Sequence, residues 1–242
     1  VYNVYAAADI KRADGTVVYK QGALVKENLT TGDDGSATLK GLYLGTYRVT
    51  EMKAPTNLIC AGESKEVTLS YAGQNVEVAV GDLTFVNDRQ KAKVFAEKQD
   101  KDTKKPLAGA VFGLYAGKDI KNQDGQVVVA KDTLIAKATT DEMGSGAFAA
   151  DLPNNNSYYV KELQAPANYF RNSDEVYSFD FQYTNDKEAT VSFSHTFSNE
   201  HVSASIHLVK KDKETGNVTQ GDAKFAGAVY GVYAREDIIH PD

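Results

Sequence analysis

Apolar and polar residues alternate with a period of two over several short stretches of this chain: 47–50, 67–71, 76–80, 177–181 and 191–197. A period of two sends successive side chains to opposite faces of a strand, so each stretch reads as a strand with one face toward a core. Turn signals punctuate them at Asp14-Gly15, Asp34-Gly35, Asp124-Gly125, Met143-Gly144 and Thr215-Gly216. No amphipathic helix of convincing length emerges. Short strands with regular turns predict an all-β chain of sandwich modules with Greek-key connections.

The pattern also repeats. VYNVYAAADI over Val1–Ile10 returns as VFGLYAGKDI over Val111–Ile120, and again as VYGVYAREDI over Val229–Ile238. A second block, TYRVTEMKAPTN over Thr46–Asn57, returns as SYYVKELQAPAN over Ser157–Asn168. A third pairs Phe85-Val86-Asn87 with Phe197-Ser198-Asn199, and a fourth pairs Lys98-Gln99-Asp100 with Lys210-Lys211-Asp212. Residues 90–200 carry all four blocks and read as a complete module. Residues 1–89 read as the rear of a module that lacks its lysine strand. Residues 201–242 read as the front of a further one, complementary to 1–89.

Composition narrows the function. A hydrophobic share of 42% supports real cores. The net charge of −6, with no basic cluster, argues against a nucleic-acid partner. No apolar run approaches the ~20 residues of a membrane span. The chain opens on Val1 with no signal peptide, so it reads as an excerpt whose export signal and wall anchor lie outside it. Cys60 is the single cysteine and reads as a buried small hydrophobe, so no intrachain disulfide is available. An extracellular sandwich without disulfides needs another staple.

Candidate chemistry lies where the alternation should be apolar. Tyr158, Val160 and Glu162 share one strand face, as do Tyr47, Val49 and Glu51. Lys98 follows Val94 and Ala96, Lys210 follows Ile206 and Leu208, and Asn199 continues the face of Phe193 and Phe197. From spacing alone, an ordinary buried Lys–Glu pair with a strand-end Asn is the favoured reading. Recurrence favours a dedicated set: Glu51 to Asn87 spans 36 residues and Glu162 to Asn199 spans 37, while most residues between differ. A desolvated lysine loses its proton more readily and becomes a nucleophile. A desolvated glutamate that keeps its proton can hydrogen-bond the asparagine carbonyl and shuttle protons. Attack of the amine on the Asn carboxamide expels ammonia and leaves an amide, and proximity supplies the rate without any cofactor.

These blocks together closely resemble the collagen-adhesin B-type, or prealbumin-like, repeat domains of Gram-positive surface adhesins and pilins. The resemblance covers essentially the whole chain, with 90–200 as its complete unit. It implies tandem Ig-like, prealbumin-like β-sandwiches in a cell-surface stalk, and an isopeptide from Lys98 to Asn199 assisted by Glu162. By the same match the flanking pieces supply Lys210, Asn87 and the assisting Glu51. The family's sorting and polymerisation motifs are absent, so sortase assembly is not implied. The expected partners are neighbouring copies or modules of the same protein. Either 201–242 of one molecule completes 1–89 of the next, with Lys210 joined to Asn87 between chains, or the ends are an arbitrary cut.

The alternative function is a ligand-binding adhesin module recognising a host glycan or matrix protein. Fourteen tyrosines could line such a site, but many fall in core blocks and there is no tryptophan to stack on a sugar. Asp100/Asp102 and Asp33/Asp34 lack calcium-loop spacing and read as solvated turns. A turnover enzyme is not expected, since His195, His201, His207 and His240 form no triad or metal pattern, and no metal or cofactor is expected.

Overall fold

The computed structural model describes residues 1–239, and all the regular elements among them are strands. In chain order they are β1 (Tyr2–Ala6), β2 (Ile10–Lys11), β3 (Val17–Tyr19), β4 (Leu24–Leu29), β5 (Gly45–Glu51) and β6 (Ser64–Leu69). There follow β7 (Lys91–Asp100), β8 (Val111–Ala116), β9 (Ile120–Lys121), β10 (Val127–Val129), β11 (Leu134–Thr139) and β12 (Ser145–Ala147). The last are β13 (Asn156–Gln164), β14 (Tyr169–Phe170), β15 (Val176–Phe181) and β16 (Thr190–His201).

The sequence repeats are structural repeats. One sheet has the order β4-β1-β5-β6 and another β11-β8-β13-β15, which is the same order in matching strands. Register matches as well: Tyr2 faces Glu51 and Val4 faces Val49, as Phe112 faces Glu162 and Leu114 faces Val160. After each Glu strand the Ala-Pro-x-Asn turn puts Asn57 and Asn168 at φ of 66° and 69°, a left-handed conformation that asparagine tolerates.

The second unit packs this sheet against another of order β12-β7-β16-β14. Ala96, Phe112, Leu114, Val160, Phe181 and Phe197 are buried between them. The long excursion between β7 and β16 lets these two strands lie side by side in parallel, from Lys91 opposite Thr190 to Asp100 opposite Asn199.

The first unit builds only one four-stranded sheet, over a smaller core of Val4, Ala6, Ile10 and Tyr47. The alternation at 76–80 predicted a strand that is not formed, and Val76, Val78 and Val80 are exposed. The strand expected over 67–71 is instead β6, Ser64–Leu69. The reason is topological. In the second unit β7 lies between β12 and β16, and residues 1–89 hold no equivalent of β7 for the matching segments to pair with. A strand without a neighbour has no ladder to satisfy its backbone groups. Residues 202–239 likewise form no strand, apart from a bridge between Asp212 and Gly216. His240 and the rest of 240–242 lie outside the described residues.

The two units meet at the end where β7 and β16 begin. Leu58 bridges Arg89, Cys60 N–H donates to Asp186 O (2.8 Å), and Tyr183 OH donates to Leu58 O (3.2 Å). Gln90, at the join, is fully buried and donates to Thr184 Oγ1 (2.6 Å) and Glu188 O (2.7 Å).

Candidate functional site

Alternation carries polar side chains into the sandwich. Along β7 the buried positions are Val94, Ala96, Lys98 and Asp100; along β13 they are Tyr158, Val160 and Glu162. Near the end of β16, Phe197 and Asn199 point inward. Lys98, Glu162 and Asn199 are 2%, 3% and 1% exposed, so none can rely on water for its partners.

They rely on each other. Lys98 Nζ donates to Asn199 Oδ1 at 2.5 Å and lies 3.1 Å from Glu162 Oε1. Asn199 Nδ2 donates to Glu162 Oε1 (2.9 Å) and Oε2 (3.2 Å). Lys98 and Asn199 come from the two adjacent parallel strands, whereas Glu162 reaches across the core from the opposite sheet. The Phe112 ring, packed on Phe197 at 4.7 Å between centroids, closes the apolar side, with Lys98 Nζ 5.8 Å from its centre. Burial lowers the Lys98 pKa from its ordinary value, opposed by the attraction and hydrogen bond of Glu162. Glu162 was expected to bond the Asn199 carbonyl. It contacts the amide nitrogen instead, because Lys98 occupies the carbonyl oxygen and only the N–H groups can donate to a carboxylate.

The first unit holds two members of the same set. Asn87 Nδ2 donates to Glu51 Oε2 (2.8 Å) and to Ile59 O (3.0 Å). Tyr2 packs on Phe85 at 4.8 Å, in the place of Phe112 on Phe197. Burial and then the Glu51 charge push the Tyr2 phenol pKa up. Glu51 is 3% exposed, yet its Oε1 has no hydrogen-bond partner among the described residues. Lys210 does not come here; it lies in the exposed stretch after β16. Cys60 is buried, with Sγ 3.7 Å from Glu51 O.

A family model describing the SpaA prealbumin-like fold domain matches residues 6–84 and 92–196, well over half of the sequence. The chain belongs to this family. No curated protein matches it. Among solved structures it is similar to the Bacillus anthracis TIE protein, at 26% identity and a TM-score of 0.48 over 84% of this chain and 30% of that one. It is also similar to the shaft pilin spaA from Lactobacillus rhamnosus GG (13% identity, 85% of this chain and 88% of that one, TM-score 0.33). A third is the group B streptococcus pilus 2b backbone protein (17% identity, 83% of this chain and 78% of that one, TM-score 0.34).

In the second unit, Asp100 is the residue that the turn reading missed. It is fully buried, not solvated. Its Oδ1 accepts from Asp102 N (2.8 Å) and Thr103 N (2.7 Å), and its Oδ2 from Tyr169 OH (3.0 Å), with His201 Nε2 at 2.9 Å. The signal was present in the alternation, since Asp100 continues the Val94, Ala96, Lys98 face. This carboxylate ties the end of β7 to β14 and to the end of β16, one residue pair beyond the Lys98 and Asn199 side chains.

A pH dependence follows. Burial pushes the Asp100 carboxyl up, but the backbone donors of Thr103 and Asp102, then Tyr169 and the Thr103 hydroxyl, outweigh it and hold the pKa well below the carboxylate range. Such a group contributes its full stability above its unfolded pKa of about 3.9, and that contribution fades as pH falls toward the folded value. Urea midpoints are expected to drop from about pH 4 downward in the wild type, and to drop less steeply in Asp100→Asn. Parallel curves for the two proteins would remove Asp100 as the cause.

Proposed function

We propose that the chain is a load-bearing segment of a bacterial cell-surface stalk, an adhesin stalk or pilus shaft, whose complete unit closes itself with an amide between Lys98 and Asn199. The observation that carries this reading is the mutual contact of Lys98, Glu162 and Asn199 inside the buried core, across the first and last strands of one unit. Membership of a family that includes pilin modules supports an extracellular setting, and similarity to shaft and backbone pilins points the same way.

The chemistry balances with no cofactor. The neutral Lys98 amine attacks Asn199 Cγ, forming a C–N bond as the Cγ–Nδ2 bond breaks. Glu162 Oε1 lies within reach of both nitrogens, at 3.1 Å from Lys98 Nζ and 2.9 Å from Asn199 Nδ2. It therefore can take the proton from the amine and deliver it to the departing nitrogen, which leaves as ammonia. Burial favours the neutral amine, and fixed placement replaces a bimolecular encounter. The groups are consumed once, so this is a maturation step and not turnover.

The test is the intact mass of the denatured chain. Wild type is expected to be lighter than its sequence by one ammonia, with a cross-linked peptide joining Lys98 to Asn199. Glu162→Ala is expected to keep the full mass. A wild-type chain of full mass would overturn the covalent reading.

A further inference from the structure

We infer that Asp100 is a positioning residue for the amide: its buried carboxylate locks β7 in register against β16 and so keeps the Lys98 amine on the Asn199 side chain. The inference rests on the amide reading above and names what holds its two partners together.

The reaction needs register as well as burial. In the parallel pairing Lys98 faces Phe197 and Asp100 faces Asn199, so the amine reaches its target on a diagonal. A slip of one residue would turn one partner out of the core, and a slip of two would carry the amine about 7 Å along the strand. Both partners lie near strand ends, since β7 stops at Asp100 and β16 at His201. Ends are where local opening costs least.

The lysine is already fixed sideways. Its N–H donates to Gly144 O (2.7 Å), and its carbonyl accepts from Leu107 N (2.9 Å). Gly144 packs so closely that an added Cβ would stand 2.4 Å from Lys98 O, and its φ of 73° suits glycine. These contacts hold β7 on the β12 side of the sheet. They do not set where β7 stops along β16, its other neighbour.

Asp100 sets that stop. It shares the inward face of Lys98, lies directly opposite Asn199 and is 0% exposed. Its carboxylate gathers groups from both strands that lie beyond β7. Tyr169 OH of β14 donates to Oδ2 (3.0 Å), and His201 Nε2 of β16 lies 2.9 Å from the same oxygen. The Asp102 and Thr103 N–H groups of the following turn donate to Oδ1. The Tyr169 ring packs on the His201 imidazole at 4.5 Å between centroids. Both carboxylate oxygens are therefore engaged, which leaves the Lys98 amine to Glu162 and Asn199. Two outer-face contacts span the same strands, Gln99 to Ser198 (3.1 Å) and Lys101 to Glu200. The Lys101–Glu200 pair is open to water and resists a slip weakly. A slip that parted the buried carboxylate from its donors is penalised far more, because nothing else there replaces them.

The aspartate also travels with the lysine. Asp212 follows Lys210 at the same spacing, and its Oδ1 accepts from Glu214 N (2.8 Å) and Thr215 N (2.9 Å), as Asp100 accepts from Asp102 and Thr103.

The test is the rate of amide formation. Full-length chains made by cell-free synthesis are sampled over time, and intact mass under denaturing conditions gives the fraction short by one ammonia. Asp100→Ala is expected to close roughly a hundredfold more slowly than wild type, the penalty for a misplaced reacting pair. Asp100→Asn is expected to recover part of the rate, because its carbonyl oxygen still accepts from the turn. Tyr169→Phe removes one donor and leaves the turn intact, so it decides the matter if Asp100→Ala does not fold; a smaller slowing is expected. Leu152→Ala removes a buried side chain toward the other end of the sandwich and is expected to close at the wild-type rate. Wild-type rates in Asp100→Ala or in Tyr169→Phe overturn the inference. So does equal slowing in Leu152→Ala, since that is a general effect of stability. In each of those cases a wild type short by one ammonia leaves the amide reading standing. A wild type that keeps its full mass overturns both.

Discussion

Replacing Lys98 by alanine is expected to lower the unfolding temperature of the complete unit by about 20 °C or more. Two losses combine. The proposed amide would close a loop across a sequence separation of 101, and by analogy with a disulfide such closure contributes about 4.7 kcal/mol in the chain-entropy model. The substitution also removes the Lys98 nitrogen that lies 3.1 Å from Glu162 Oε1, and a buried acceptor that loses a partner costs about 1–3 kcal/mol. Against a total stability of roughly 5–15 kcal/mol, little remains. A double variant, Lys98→Met with Glu162→Leu, separates the terms, because it removes the cross-link without leaving a buried carboxyl short of a partner. Thermal unfolding is expected to place the double variant between wild type and Lys98→Ala. Equal unfolding temperatures for all three would mean that neither the cross-link nor the buried pair bears on stability.

Under mechanical load the difference should be larger still. Force enters the second unit at Lys91 and leaves at His201, along two parallel neighbouring strands. With the amide in place, the load passes from β7 through Lys98 and Asn199 into the end of β16, and everything between stays folded. Without it, the segment between Lys98 and Asn199, a sequence separation of 101, can be drawn out, a gain of roughly 350 Å at the reach of an extended chain. Single-molecule pulling is expected to show no such step for wild type and to show it in Glu162→Ala. A full-length extension in wild type would mean that the staple does not carry the load.

Much of this was legible before any coordinates. The alternation in Tyr158, Val160, Glu162 and in Val94, Ala96, Lys98 shows which side chains share a face, because the strand period is two and a one-residue slip would reverse it. The internal repeats show which segments are equivalent. The misreadings have a common cause. Residues 76–80 carry a strand pattern without being a strand, since the pattern records which residues would face a core and not whether a neighbouring strand is there to pair with. Asp100 reads as a turn residue because an aspartate followed by Lys-Asp-Thr has turn chemistry; it is also buried, because β7 continues to it and Tyr169 and His201 close over it.

By itself the sequence determines which residues share an inward face, the repeat unit and the residue types available for amide formation, all of which follow from local periodicity and self-similarity. The parallel pairing of β7 with β16, the reach of Glu162 across the sandwich to the Asn199 nitrogen, and the meeting of Glu51 with Asn87 are decided by tertiary structure alone. Each depends on which distant segments meet in space, and meeting across about 100 residues leaves no periodic trace in the chain.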